Sequence, residues 1–206
     1  MTYMTYGVAR CGACGLQGAS HQIQETQRSR FHAMRFVAEM SAQATPAGNS
    51  IVMNAPNGHK FMIGVLCAGA QTLVACSGQH DNFLPMINAA ARFGYVVAQY
   101  RAAPYAARGG GALSVAEVQA THGGGNMPQP GRCAAPKLVL EAMSRNLHAG
   151  NGWRQWSMSE VFYQPSTARR THELYNVPPP YTHGVTAYHC GTCHNLVPML
   201  MCGQRV

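Results

Sequence analysis

Three cysteines constrain this chain more than any other feature. Cys133 opens an apolar helix in Gly131-Arg132-Cys133-Ala134-Ala135-Pro136-Lys137, and Cys190 and Cys193 form a Cys-x-x-Cys within Tyr188-His189-Cys190-Gly191-Thr192-Cys193. Thiolates are soft zinc ligands, and three of them leave a tetrahedral ion one position for water or substrate. Helix N-termini favour negative charge and stabilise thiolates. The chain must therefore fold so that a helix start from its middle meets a strand-to-helix turn near its end.

Composition sets the frame for that site. The 206 residues suffice for one sizeable core, with 1–50 read as an N-terminal Cys-x-x-Cys segment plus amphipathic helix and 51–206 as the zinc domain. Charged residues make up 11% and apolar residues 47%, which excludes a largely disordered chain. The formal net charge is +8, and 13 of the 15 basic residues are arginine, the side chain suited to bidentate phosphate contacts. A polyanionic partner is thus permitted. No apolar run reaches 18 residues, so no membrane insertion is expected. The first ten residues lack a basic region followed by an apolar core, so no signal peptide is read there. Eight cysteines are enough for four disulfides, but two Cys-x-x-Cys pairs and a helix-start cysteine point to metal in a reducing compartment.

Along the chain, Cys11 and Cys14 form the first pair, with His21 nearby. An amphipathic helix is expected over 22–43, with Ile23, Phe31, Met34, Val37 or Ala38, and Met40 on its apolar face. Apolar runs at 59–67 and 72–77 predict a β-hairpin covered on both faces. Asp81 or Asn82 is placed to cap a helix ending at Phe93, with Gly94 as its stop, and 95–100 reads as a third strand. The glycine-rich stretch 102–132 holds one short helix at 114–120. After the helix opened by Cys133 come a fourth strand at 160–164, a polar helix at 166–175, a Pro178–Pro180 connector, a fifth strand at 184–189 and a final helix from Thr192 to Cys202. This alternation predicts an α/β sandwich around a mixed sheet of about five strands.

Cys133-Ala134-Ala135-Pro136-Lys137, followed later by Cys190-x-x-Cys193, resembles the zinc-dependent cytidine-deaminase-like superfamily, in the C-A-E-P-K form of bacterial polymorphic-toxin deaminase domains. The resemblance implies a three-layer α/β/α fold and one catalytic zinc on Cys133, Cys190 and Cys193. It implies an enzyme that hydrolytically deaminates cytosine in nucleic acid, DNA ahead of RNA. It further implies a secreted or delivered effector acting in a target cell, and a cognate immunity protein. The family's glutamate, which moves protons between water, base and departing ammonia, falls on Ala135. An alanine there makes this a silent form, either a pseudoenzyme or a deliberate glutamate-to-alanine substitution that spares an expression host.

Substrate contacts are read at His80, Asn82, Arg132 and His189, with Arg169 and Arg170 as further phosphate contacts. Rival readings remain at this stage. Cys11, Cys14, Cys190 and Cys193 can be assembled into one structural four-cysteine zinc site of a nucleic-acid-binding protein, or Cys11 and Cys14 can hold a second, structural ion with His21. A deaminase of free nucleosides or nucleotides, and a cysteine-nucleophile enzyme built on Cys133, complete the set.

Overall fold

The computed structural model describes residues 3–43, 61–78, 81–120, 130–163, 184–187 and 190–204. Its centre is the hairpin foreseen in the sequence. β3 (Phe61–Ala68) and β4 (Gln71–Cys76) pair antiparallel, with Ile63 opposite Cys76 and Ala68 opposite Gln71. The turn is therefore only Gly69-Ala70, and Gly69 at φ 58° supplies the left-handed conformation that a primed two-residue turn requires.

β8 (Ser157–Tyr163) pairs antiparallel along the other edge of β3, Val161 facing Ile63. Beyond it lie β2 (Ile23–Gln24), parallel to β8, and β1 (Thr5–Tyr6), antiparallel to β2. β5 (Val96–Val97) runs parallel to β4. The described residues thus form a six-stranded mixed sheet in the order β1-β2-β8-β3-β4-β5: four of the five expected strands, joined by two from the N-terminal segment. The expected strand at 160–164 begins three residues earlier, at Ser157. The fifth expected strand is shorter than foreseen: 184–187 lies along β8 through Gly184 N–H to Phe162 O and Ala187 N–H to Glu160 O, with one bridge at Val161–Thr186. The expected helix at 166–175 and the Pro178–Pro180 connector lie outside the described residues.

Side-chain alternation along β3 fills two cores at once. Phe61, Ile63, Val65 and Cys67 meet α1 (Gln27–Gln43) and α2 (Leu84–Phe93) on one face. Leu66 and Ala68 meet α4 (Ala134–Ser144) and α5 (Gly191–Leu200) on the other. The result is a three-layer α/β sandwich. Between these elements the glycine-rich stretch forms a small hairpin, β6 (Tyr105–Ala106) with β7 (Ala112–Leu113), then α3 (Val115–Ala120). Ser114 and Glu117 bond each other's backbone N–H groups across the start of α3, a reciprocal cap.

Two local expectations need correction. The buried face of α1 is Ser29, Ala33, Phe36, Val37 and Met40, whereas Phe31 and Met34 are exposed. Ile23 belongs to β2, and that break shifts the helical register away from the face predicted from Ile23. Secondly, neither Asp81 nor Asn82 caps α2; Phe83 holds that position and Pro85 lies in the first turn. The Asp81 carboxylate is engaged elsewhere, by the Lys137 ammonium and the Tyr100 N–H.

Glu25 ties the N-terminal segment to the sheet. Its carboxylate accepts from Arg30 Nε at 3.0 Å, from the Met4 N–H at 3.1 Å and from the Ser159 hydroxyl at 2.6 Å. Burial works to raise its pKa, but these donors outweigh burial and hold it below the ordinary 4.5. A lowered carboxylate pKa stabilises the fold above the unfolded-state value and loses that contribution as pH falls through the folded one. Between pH 6 and 3 in chemical denaturation, the wild type should lose more stability than Glu25→Gln.

Gly64 is where α4 crosses β3. A Cβ there would lie 2.8 Å from Leu138 Cδ1 and 3.0 Å from the Ala134 Cβ. Gly64→Ala should cost about 1–3 kcal/mol by overpacking, read from urea unfolding. Unchanged stability would mean that α4 can lift without cost.

Candidate metal centre

Helix packing brings the three sequence-predicted cysteines together. Cys133 is the N-cap of α4 and Cys190 the N-cap of α5, each in extended backbone and neither using its side chain as a cap. Cys133 Sγ lies 3.2 Å from Cys190 Sγ, and Cys190 Sγ lies 3.6 Å from Cys193 Sγ. Tetrahedral zinc with Zn–S bonds of about 2.3 Å separates its sulfurs by about 3.8 Å. The cage therefore fits a single ion of that size after a few tenths of an ångström of expansion. No fourth Cys, His, Asp or Glu joins this group among the described residues.

Protons are shared unequally in the cage. Hydrogen bonds from Cys133 and Cys193 hold Cys190 far below the usual thiol range. The Cys133 thiol is pushed well up by its bond to Cys190, and the Cys193 thiol by burial. A dication would displace the two remaining thiol protons, so its affinity falls in acid.

Ala135 sits in the first turn of α4, fully buried. Its N–H donates to Glu160 Oε1 at 3.2 Å. Glu160 is 2% exposed, and burial together with the negative charge of Cys190 raises its pKa to about 8. The first N–H groups of a helix need acceptors from outside it. Cys133 makes no side-chain cap bond, and Glu160 serves the Ala135 N–H from the neighbouring strand. This residue was read only as the start of a strand. A signal exists in the sequence: Glu160 is one of only seven acids in the chain and directly precedes the apolar Val161-Phe162-Tyr163.

The loop after β4 is fastened to α4 by Lys137. Its ammonium, completely buried, donates to Cys76 O and Gly78 O at 2.8 Å each and to Asp81 Oδ1 at 2.6 Å. The Gly78 N–H donates to Arg132 O at 2.8 Å, immediately before Cys133. Asn82 and Arg132 consequently line one cavity of about 340 Å³, with Asp81, Gln99 and Tyr100. The Arg132 guanidinium lies 5.5 Å from the centre of the Tyr100 ring. Two of the four expected substrate contacts are thus brought together. His80 and His189, like Arg169 and Arg170, lie outside the described residues.

Cys11 and Cys14 do not assemble with Cys190 and Cys193. They gather with His21 and Cys202, so the imagined four-cysteine site is replaced by two separate groups, each able to hold a metal ion. Cys202 was not foreseen as a ligand, since nothing local marks it. No protein family, curated protein or solved structure matches the chain.

Lys137→Met should remove three hydrogen bonds and leave Asp81 without its buried partner. Breaking such a pair costs about 3–5 kcal/mol, measurable by urea denaturation. A loss below about 1 kcal/mol would show that the 76–82 loop does not depend on Lys137.

Proposed function

We propose that the Cys133–Cys190–Cys193 cage is the catalytic centre of a zinc-dependent hydrolytic deaminase acting on cytosine in nucleic acid, here in a silent form. One observation carries this reading: three sulfurs converge from two facing helix starts, and no fourth protein ligand joins them among the described residues. A closed structural site uses four ligands, while a catalytic one leaves a position open. Zinc bound there would act as a Lewis acid and lower the pKa of a water.

The chain's own residues divide the remaining work. Asn82 and Arg132, at a cavity whose Arg132 wall adjoins Cys133, bind the substrate, with Asn82 offering hydrogen bonds to a base edge and Arg132 a phosphate contact. The +8 charge supports a polyanion over a free nucleoside, and DNA is the first choice. Hydrolytic deamination moves protons onto the ring nitrogen and onto the departing amine. Position 135, two residues past a ligand in the first turn of α4, is where an acid would carry them. Alanine carries none, and Glu160 is committed to the Ala135 N–H. The toxin setting, with delivery into a target cell and a cognate immunity protein, follows from the motif resemblance. On this reading the chain as it stands should bind metal without turnover.

Ala135→Glu tests the reading. General acid–base groups contribute about 10²–10⁴-fold, so cytosine deamination should rise by that order over the Ala135 form. Purified protein would be assayed on single-stranded DNA, double-stranded DNA, RNA and free cytidine. Gain on free cytidine alone would reassign the substrate class. No gain on any of the four, in protein that keeps its zinc, overturns the deaminase reading and leaves a metal-binding nucleic-acid module.

A further inference from the structure

The second group of thiols has a geometry of its own. Cys11 and Cys14 lie on a tight turn closed by Cys11 N–H to Leu16 O and Gly15 N–H to Cys11 O, both 2.8 Å. Cys14 Sγ lies 3.3 Å from His21 Nε2. His21 Nδ1 lies 3.0 Å from the Ser20 hydroxyl, and in the tautomer with its proton on Nδ1 the ring donates to that oxygen and leaves the Nε2 lone pair facing the sulfurs. Metal-binding histidines are held in this manner by a partner on the other ring nitrogen. Cys202, two residues past the end of α5, completes the group, and all four ligand atoms lie within 4.8 Å of one another. Cys11 and Cys202 are each 1% exposed and His21 3%.

We propose that Cys11, Cys14, His21 and Cys202 form a closed, structural zinc site that fastens the N-terminal segment to the end of α5. Three thiolates and one imidazole satisfy tetrahedral zinc without an open position, and a sulfur and a nitrogen on one such ion stand about 3.6 Å apart, close to the Cys14–His21 separation. A bridged iron–sulfur cluster would spread its ligands over two metal atoms, which this compact set does not do. The filled site carries one net negative charge, and a cation is in place beside it. Arg108 donates from Nε to Met201 O at 2.8 Å and from its terminal nitrogen to Ser20 O at 3.2 Å, spanning both chain segments that supply ligands. The Arg108 and Gly109 N–H groups hold Leu200 O and Cys202 O at 2.8 Å each. These contacts set Cys202 where a helix end alone would not.

The two sites are separable. Cys193 and Cys202 stand nine residues apart along α5 and its end, about 13 Å at helical rise, so neither ion shares a ligand with the other. The whole chain, purified with zinc, should hold two zinc ions by mass spectrometry and no visible iron–sulfur absorption. Cys14→Ser and Cys202→Ser should each drop the content to one, and Cys133→Ser should remove the other ion. In the Cys133→Ser protein, X-ray absorption at the remaining zinc should give three sulfurs and one nitrogen. Should the serine variants not fold, stepwise zinc release from the wild type by a mercurial reagent supplies the count. A single ion with one nitrogen ligand would keep this site and remove the catalytic one. A single ion with sulfur-only protein ligands, or zinc content unchanged by both Cys14→Ser and Cys202→Ser, would overturn it.

Discussion

The approach of α4 to the sheet is the contact on which the rest depends. Every residue from Ala134 to Met143 is buried, including the charged Lys137 and Glu141, and the helix lies so close to β3 that only a glycine fits at Gly64. This packing fixes the first turn of α4 and with it Cys133. It also brings Lys137 under the loop after β4, so that the cavity lined by Asn82 and Arg132 is held to the same helix that supplies the first thiol. Fold and site share one joint.

Charge is handled by pairing wherever it enters the interior. Lys137 is paired with Asp81, Glu25 with Arg30, and Glu141 with Arg101 and Arg145. Glu160 has no such cation, and burial beside the Cys190 sulfur keeps its proton on well above the ordinary carboxyl range. Of the seven acids in the chain, each of the six among the described residues meets a specific partner or a backbone N–H at a helix start. Such buried polar joints specify geometry more than they add net stability.

Local patterns made much of the fold legible. The hairpin's apolar runs and the short helix expected at 114–120 carry their structure in neighbouring residues, and both are found close to where the sequence put them. The buried face of α1 differs from the one its sequence predicts because sheet pairing takes Ile23 into β2. Asp81 was assigned a capping role for the same reason: a residue near a helix start invites it, and nothing local announces a lysine 56 positions away.

What the sequence by itself determined is the chemistry on offer: three thiols at two helix starts, an alanine at position 135, a Cys-x-x-Cys near the N-terminus, and a basic, arginine-rich composition. These follow from residue type and spacing, which folding does not alter. Only the tertiary structure decided the partnerships. It set Cys190 3.2 Å from Cys133, gave Cys11 and Cys14 to His21 and Cys202 instead of to Cys190 and Cys193, and placed Glu160 on the Ala135 N–H. Such contacts span tens to hundreds of residues, and they are fixed by how helices stack on a sheet, a quantity that no short window of sequence contains.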